Sequence, residues 1–509
     1  MAEQTEAAEI GSAGAGDSIT IKEATKTGWK NAFLWYSYDA ADTYFSQLVI
    51  SLAYTPFALL IGIAYMGWSY QTSFVITSIF MAASNLLIAV MGPVLGAFSD
   101  NIGKRKIAVI MAASVMIATT ALITAWVNFW WASILFLIAN FCYQAGRMFY
   151  DAQIPFIAET KKRSLIQAVG GSLAFFGSVF GVLTTMILGM VLGEWTHIDT
   201  AIWDADPGQY IGQIDIIKLE LEGIIRWLFL IGAIVILLMS IPYFFHKEVE
   251  NPTDITIKEN LRKSLRTFRT TGKDILKDRN SILFFLGWFF ITDAANTAIL
   301  YMAVIIQGAV GYPPAITNYV IFAGIGGSLI FAILTGIFMN KYGPKISFII
   351  NGLSWAIAIV IVFFAGWQYK TELVWNGWSF NTIIHMIPRW LMFIGAFFIG
   401  IGFGGIWIIG RQFIMILAPP KRLAQYGGFQ KIAGRVSAIV SPLIFAGLIY
   451  AFTGQFGTHH AYRFALAGLL VFFIIGVILL AFIKDPHKRY LAGERAPYKD
   501  MYPPKKSNK

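Results

Sequence analysis

Long apolar stretches alternate with short polar ones along the whole of this 509-residue chain. A helix needs about 20 apolar residues to cross a hydrocarbon layer of about 30 Å, and many of these stretches reach that length. Charged residues make up 13% of the chain, whereas soluble domains carry about 25%. We therefore predict an all-α polytopic membrane protein with twelve transmembrane helices, at 32–57, 72–99, 107–127, 130–156, 167–193, 224–245, 281–307, 315–339, 346–367, 389–417, 428–452 and 462–483.

Lysine and arginine are concentrated in the loops on one side of the predicted membrane, which include 104–106, 161–163, 247–279 and the tail from 484. The opposite loop, 194–222, is acidic. Cations accumulate on the cytoplasmic side of membrane proteins, so we expect both termini to be cytoplasmic. The membrane would be the inner or plasma membrane of a prokaryote or an organelle membrane of a eukaryote. The net charge of +11 is therefore an orientation signal, and we expect no nucleic-acid partner.

A long polar segment, 246–280, separates the first six predicted spans from the last six. Its sequence from residue 255, ITIKENLRKSLRTFRTTGKDILKDRN, is typical of a basic amphipathic helix at a membrane surface. Residues 7–18 are rich in alanine, glycine and serine, which indicates disorder. We expect a disordered cytoplasmic tail at 1–31, a six-helix bundle at 32–245, a basic interfacial linker at 246–280, a second six-helix bundle at 281–483 and a basic cytoplasmic tail at 484–509.

The two halves repeat three short patterns in the same order. YDAADT at 38–43 matches TDAANT at 292–297, and GAFSDNIGKRK at 96–106 matches GIFMNKYGPKI at 336–346. The pair Gly146-Arg147 matches Gly410-Arg411. A duplicated bundle is the plan of many secondary transporters, whose binding site lies near the midplane of the membrane. The sequence therefore predicts two bundles related by an internal repeat.

The loop at 96–106 resembles the signature loop of the major facilitator superfamily in six residues, Gly96, Asp100, Gly103, Lys104, Arg105 and Lys106. The glycines permit a tight turn and a close approach of helices. Asp100 can accept hydrogen bonds from helix ends or from basic groups of the neighbouring half. We expect a cytoplasmic gate here, with Arg435 as a further member. In the alternative interpretation, the three cations at 104–106 only mark the inner side of the membrane.

Within that superfamily the chain is similar to the vacuole-effluxer-like branch, which includes the autophagy-related vacuolar amino-acid effluxers. The resemblance implies transport of amino acids. Where that branch carries Trp-Ala-Asn after Tyr-Asp, this chain carries Ala-Ala-Asp, which adds a carboxylate. The similar segments are YDAADTYFSQLVISLAYTPF (38–57), VMGPVLGAFSDNIGKRK (90–106), FYDAQIPFIAE (149–159), FLGWFFITDAANTAILYMAVI (285–305) and GGFQKIAGRVSAIVSPLIFAGLI (427–449).

Apart from Arg389 at the first position of its span, six charged residues lie in the predicted spans that line the central cavity in this superfamily. A charged side chain at mid-helix costs about 2.5–3.5 kcal/mol, and a spacing of three residues places Asp39 and Asp42 on one helix face. We therefore predict a substrate-binding or coupling site composed of Asp39, Asp42, Arg147, Asp151, Asp293 and Arg411, in a cavity lined by Trp35, Tyr38 and Asn296.

Four acids and two arginines leave two surplus negative charges, which favours a protonated carboxylate or a bound cation. The same groups offer a carboxylate to a substrate amino group and an arginine to a substrate carboxylate. Narrower roles stay open. In one alternative, Asp151 only pairs with Arg147 within its helix. In another, Asp42 only fixes helix packing near Tyr38 and Thr43. In a third, Arg147 and Arg411 are only structural counter-ions.

We expect a secondary transporter, not an enzyme, that moves a small polar solute by alternating access together with a proton or a monovalent cation. The sequence contains no GxxxxGK[ST] motif, a single cysteine and no metal-ligand pattern among its six histidines. We therefore expect no cofactor and no metal, and a monomer in the lipid bilayer. The alternatives are a cation-coupled sugar symporter and a non-transporting membrane receptor or scaffold on the same fold.

Overall fold

The computed structural model describes residues 7–10, 21–68, 70–192, 224–251, 256–300, 302–312, 314–375, 378–456 and 458–496. The predicted acidic loop 194–222 and about half of each predicted tail lie outside these residues. The helices are α1 (Trp29–Phe45), α2 (Thr55–Met66), α3 (Tyr70–Ile102), α4 (Arg105–Leu122), α5 (Phe129–Asp151), α6 (Arg163–Leu192), α7 (Ile224–Ser240), α8 (Ile257–Lys277), α9 (Arg279–Leu300), α10 (Met302–Ile305), α11 (Pro314–Tyr342), α12 (Pro344–Phe364), α13 (Leu391–Leu417), α14 (Leu423–Phe456), α15 (Thr458–Ala481) and α16 (His487–Leu491).

Ten helical segments within the described ranges are long and apolar enough to cross a membrane. They correspond to the predicted spans 72–99 through 389–417 and to 462–483. The first predicted span, 32–57, is divided between α1, a π-helix and α2, each shorter than a full crossing. The predicted span 428–452 falls within α14, some of whose side chains lie outside the described part of the chain.

In the part of the chain that the structure describes, π-helical turns occur at two positions, Ser46–Tyr54 after α1 and Ile306–Val310 after α10. In the first of them the Ser51 hydroxyl donates to the Ser46 carbonyl at 3.1 Å. Such π-helical turns are rare and frequently accompany functional sites. Each one follows a copy of the repeated Asp-Ala-Ala pattern, so the repeat extends from sequence into backbone geometry.

The chain divides into two compact units. Unit 1 comprises Met1–Ile166, Leu173–Thr271 and Pro419–Ile432, and unit 2 comprises Gln167–Ser172, Gly272–Ala418 and Ala433–Lys509. The units follow the predicted halves of the sequence except at two short exchanges. One turn near the start of α6 belongs to unit 2, and the first turns of α14 belong to unit 1.

Two antiparallel strand pairs accompany the helices within the described ranges. Strand β1 (Ala7–Ile10) pairs with β2 (Ile21–Ala24), and β3 (Gln368–Trp375) pairs with β4 (Trp378–Met386). Strand β2 falls within the predicted cytoplasmic tail at 1–31, whose disorder stays a prediction. Glu23 of β2 is 3% exposed and accepts a hydrogen bond from Arg163 at 2.8 Å, because a buried arginine there requires a counter-ion.

Close packing in unit 1 fixes the orientation of α1. Tyr44 and Leu48 are fully buried in the core. A Cβ atom at Gly177 would overlap the Ala40 carbonyl oxygen, so only glycine lets α6 approach α1 this closely. The face of α1 that carries the two aspartates is thereby held toward α5.

Candidate functional site

Helices α1 and α5 bring two carboxylates and one guanidinium together inside unit 1. Arg147 Nη1 donates to Asp42 Oδ2 at 2.6 Å, and Arg147 Nη2 lies 3.6 Å from Asp39 Oδ1. The aspartate side chains are 1–2% exposed and that of Arg147 is 17% exposed. Buried ions require such pairing. We call these three residues the acid–arginine cluster.

Tyr38 lies beside this cluster. A Cβ atom at position 146 would overlap the Tyr38 hydroxyl, so Gly146 leaves the room that this hydroxyl occupies. The Tyr38 hydroxyl and Asp42 Oδ1 are buried and have no hydrogen-bond partner among the residues that the structure describes. Since buried polar atoms are nearly always hydrogen-bonded, both atoms can bind a proton or a polar ligand.

Two more charges act on the acid–arginine cluster. Asp151, one turn beyond Arg147 on α5, interacts with the guanidinium electrostatically. Lys431, in the first turns of α14, attracts the Asp42 carboxylate. Arg147 thus reaches across to α1 as well as along its own helix. The sequence analysis does not predict Lys431 as a member of the site.

An amide and two aromatic side chains support α1 just before the cluster. Trp35 stacks on Tyr150 with ring centroids 4.1 Å apart. Gln153 Oε1 accepts hydrogen bonds from Trp35 Nε1 at 3.0 Å and from the Tyr243 hydroxyl at 2.8 Å. Trp35 and Tyr38 are both fully buried within unit 1, and their role in lining a cavity stays a prediction.

Glu248 completes this network at the predicted cytoplasmic end of unit 1. Its Oε2 accepts from Gln153 Nε2 at 2.7 Å, and its Oε1 accepts the Lys106 backbone N–H at 2.8 Å in the first turn of α4. Burial raises the pKa of the Glu248 carboxyl, and the hydrogen bonds from Lys106 and Gln153 partly oppose that shift. No sequence pattern reveals Gln153 or Glu248, since each acts through contacts with residues distant in the chain.

We expect Gln153→Leu to lower the free energy of unfolding by roughly 1–3 kcal/mol. The substitution leaves Trp35 Nε1 and the Tyr243 hydroxyl, both buried, without an acceptor. Thermal unfolding of the purified protein measures the change. Gln430→Leu makes the same chemical change at a partly exposed position and serves as the control. Equal losses in the two variants would contradict the proposed role of Gln153.

A buried histidine next to this network makes stability depend on pH. His246 is 1% exposed, and its Nδ1 donates to the Tyr243 carbonyl at 2.6 Å. Burial lowers the pKa of His246 from 6.5 to about 4. Because the folded-state pKa is depressed, the stabilisation is present above pH 6.5 and is lost as the pH falls toward 4.

The protein should therefore lose roughly 3 kcal/mol of unfolding free energy through His246 between pH 6.5 and about pH 4. The variant His246→Gln, which has no titrating ring, is expected to lose correspondingly less over the same interval. Thermal midpoints of both proteins across this pH range measure the difference. Parallel pH profiles would show that His246 does not titrate as described.

Unit 2 holds the other predicted site residues. Asp293 is fully buried in α9, and Arg411 is 8% exposed in α13. Beside Asp293, the Thr292 hydroxyl lies 3.5 Å from the Ser437 hydroxyl of α14. Asn296 and Arg435 are partly buried. The participation of these residues in one site with the acid–arginine cluster stays a prediction.

Asp100, at the end of α3, has two kinds of partner within unit 1. Its Oδ1 accepts from Arg105 Nη2 at 2.8 Å, and its Oδ2 accepts from the backbone N–H groups of Ala424 at 3.0 Å and Gln425 at 3.2 Å. The first turn of a helix favours a carboxylate, because its N–H groups are free and its dipole is positive there. Asp100 thus accepts hydrogen bonds from the start of α14 and from a basic residue of its own loop, and its role in a cytoplasmic gate stays a prediction.

The glycines of the same loop permit backbone contacts. A Cβ atom at Gly96 would overlap the Ala424 carbonyl, and one at Gly103 would overlap the Asn251 carbonyl. Gly103 also adopts a φ of +69°, which L-residues with side chains rarely tolerate. Lys104 is the N-cap residue of α4. Both glycines are therefore required by the fold of the predicted gate.

The repeated loop in unit 2 has a related arrangement with different partners. Asp485, which follows α15, accepts the Lys345 backbone N–H in the first turn of α12, and burial raises the pKa of its carboxyl. His487 Nε2 donates to the carbonyl of Asn340, the residue that matches Asp100. In unit 1, Glu248 follows α7 and caps the start of α4. In unit 2, Asp485 follows α15 and caps the start of α12 in the same way.

The family model of the Major Facilitator Superfamily matches residues 43–388 and 290–505. The uncharacterized MFS-type transporter YxiO of Bacillus subtilis (strain 168) is 23% identical over 456 residues, which is 89% of this chain and 94% of that protein.

Solved structures show the same fold at low sequence identity. They include the proton:xylose symporter XylE bound to 6-bromo-6-deoxy-D-glucose, at 13% identity and a TM-score of 0.58, with 90% of this chain and 96% of that one covered. A variant of the E. coli fucose:proton symporter FucP has 11% identity and a TM-score of 0.59, with 88% and 98% covered. The human organic anion transporter MFSD10 has 12% identity and a TM-score of 0.59, with 88% and 99% covered.

This chain belongs to the Major Facilitator Superfamily. It is an integral, multi-pass membrane transporter with a small-molecule substrate and is not an enzyme. The predicted fold of twelve transmembrane helices in two bundles is confirmed. The resemblance to the vacuole-effluxer-like branch stays a resemblance, because the comparisons identify the superfamily and not the branch.

Proposed function

We propose that this protein is a secondary transporter that couples the movement of a small polar solute to a proton, with amino acids as the favoured substrates. The observation that supports this proposal is the buried acid–arginine cluster. Together with Asp151 and Lys431 it contains three acids and two cations, so 3 − 2 leaves one surplus negative charge. Such a surplus inside a membrane protein favours the uptake of a proton or a monovalent cation.

The same groups suit a zwitterionic solute. An arginine binds a carboxylate through two parallel N–H groups, and an aspartate binds an ammonium group. Alternating access would expose the cluster first to one side of the membrane and then to the other. The amino-acid class itself comes from the resemblance in sequence. Both termini are cytoplasmic in this proposal, in accordance with the distribution of lysine and arginine.

The test is uptake into proteoliposomes by Asp39→Asn and Asp293→Asn. Each variant is expected to lose pH-dependent uptake while still inserting and folding, since asparagine preserves the shape but cannot exchange a proton. Asp274→Asn, at an exposed position on α8, is the matched control and should behave like the parent. Normal rates in both site variants across about pH 5 to 8, where protonation switches operate, would overturn the coupling role.

A sugar is the second candidate substrate, because two structural neighbours, XylE and FucP, are proton-coupled sugar symporters. Counterflow with labelled amino acids and labelled sugars in the same proteoliposomes separates the candidates. An organic anion, the substrate class in the name of MFSD10, forms the third arm of that experiment. The coupling proposal survives whichever substrate is accepted, provided that its uptake depends on pH.

A further inference from the structure

The linker helix α8 has two opposite faces. Asn260, Ser264 and Thr271 are at most 1% exposed, whereas Arg262, Arg266 and Arg269 are exposed. Residues three or four positions apart lie on one face of a helix, and residues two positions apart do not. The inward face is therefore uncharged and the outward face is cationic.

The inward face is hydrogen-bonded to the end of α3. Asn260 Nδ2 donates to the Phe98 carbonyl at 3.1 Å. Asn101 Nδ2 donates to Asn260 Oδ1 at 2.9 Å and to the Ser264 hydroxyl at 3.2 Å. These contacts lie next to Asp100 in the sequence. The inward side of α8 thus contributes hydrogen-bonding groups through which the helix docks on the protein.

The same face also contacts the first turns of α14. The Thr271 hydroxyl donates to Gln425 Oε1 at 2.6 Å, and the backbone N–H of Gln425 is itself bound by Asp100. Phe268 stacks on Phe429 with ring centroids 5.4 Å apart and planes 9° apart. Helix α8 therefore contacts both the end of α3 and the first turns of α14, which are the two segments that Asp100 also connects.

The outward face has the composition of a lipid-binding surface. Between positions 258 and 269 it bears five exposed cations, Lys258, Arg262, Lys263, Arg266 and Arg269, against one exposed acid, Glu259. No ion pair to these five cations occurs among the described residues. Leu265 lies between them and is 52% exposed, as expected of a side chain at the boundary between headgroups and acyl chains.

The position of α8 in the chain places it near the bilayer. A single residue separates its last residue from Arg279, which begins a membrane-crossing segment. Exposed cations within a few ångströms of an anionic leaflet attract its headgroups. An acidic protein would offer the same charge, but the exposed leucine and the adjacency to the membrane favour lipid.

We propose that the outward face of α8 binds anionic phospholipid headgroups of the predicted cytoplasmic leaflet, and that this binding clamps α8 onto the Asp100 contact between α3 and α14. The proposal rests on the predicted orientation and is independent of the transported solute. It gives the linker a role beyond joining the halves, since the lipid composition would then set the stability of the Asp100 contact.

A fluorescent label on α8 tests the lipid contact. The chain has one cysteine, so Leu265→Cys in a Cys142→Ser background takes a single bimane label. The protein is reconstituted in vesicles of phosphatidylcholine with and without phosphatidylglycerol, each containing a headgroup-labelled quencher lipid. We expect about twofold stronger quenching with phosphatidylglycerol. Raising the salt to about 1 M, where the Debye length is about 3 Å, should remove the difference.

Two triple variants separate the proposed surface from general charge effects. Arg262→Gln, Arg266→Gln and Arg269→Gln together should abolish the preference for phosphatidylglycerol. Lys161→Gln, Lys341→Gln and Lys484→Gln together remove as many exposed cations elsewhere and should preserve it. Phosphatidylglycerol should also raise the thermal midpoint of the parent and of the second triple variant, but not that of the first.

Equal quenching in both kinds of vesicle would overturn the proposed lipid contact. A label that stays fully in water in both would do the same and would indicate a surface for a soluble acidic partner. A thermal midpoint that does not respond to phosphatidylglycerol, despite lipid-dependent quenching, would overturn the clamp.

Discussion

Arg147→Gln is expected to abolish uptake and to lower the free energy of unfolding by roughly 3–5 kcal/mol. The arginine is hydrogen-bonded to Asp42 and lies 3.6 Å from Asp39, and both carboxylates are almost fully buried. Glutamine leaves both of them without the guanidinium. Thermal unfolding by tryptophan fluorescence and uptake into proteoliposomes measure the two effects.

Two further variants identify what the arginine contributes. Arg147→Lys keeps the charge as a point charge but loses the planar fork, so it should fold better than the glutamine variant and transport poorly. Arg147→Gln combined with Asp42→Asn removes one charge of each sign and should recover much of the lost stability, without recovering transport. If the single variant were as stable as the parent, the buried cluster would have been described wrongly.

Glu23→Gln is expected to lower the free energy of unfolding by about 3 kcal/mol, within the range found when one partner of a buried ion pair is removed. Arg163 is 1% exposed, and Glu23 is its anionic partner at 2.8 Å. The carbonyls of Ala158 and Pro155 also accept hydrogen bonds from Arg163, but they cannot neutralise its charge. Thermal unfolding of the purified protein measures the loss.

A matched control for this prediction lies in the same region of the chain. Glu159 pairs with Lys162 at 2.6 Å, but their side chains are 27% and 46% exposed. Glu159→Gln should therefore cost at most about 1 kcal/mol. Replacing the buried pair by Leu and Met together, as Glu23→Leu with Arg163→Met, should restore stability. A loss no larger in Glu23→Gln than in Glu159→Gln would refute the prediction.

The fold could be predicted from the sequence because its strongest signals are local. Apolar length identifies a membrane span without knowledge of its neighbours, and a spacing of three residues fixes a common helix face for Asp39 and Asp42. The type of contact that Asp100 makes could be predicted, since a carboxylate at the end of a helix can accept hydrogen bonds from free N–H groups. Its partners in α14 lie more than three hundred residues further along the chain.

The remaining features depend on contacts that no local pattern encodes. Gln153 is a single amide beyond the end of α5, and its importance comes from Trp35 and Glu248, which belong to other segments. Glu23 lies next to a stretch rich in alanine, glycine and serine, whose composition indicates disorder. It is ordered because a buried arginine 140 residues away needs an anion.

Besides the Asp100 side chain, the contact of α3 with the beginning of α14 includes closely packed main-chain atoms. A Cβ atom at Gly428 would lie 2.5 Å from the Pro93 nitrogen, and one at Gly96 would overlap the Ala424 carbonyl. Side chains can rotate and refill a widening gap, but bare backbone cannot. The contact between these two segments should therefore have two states, closed and open. Partly separated states should be too short-lived to accumulate.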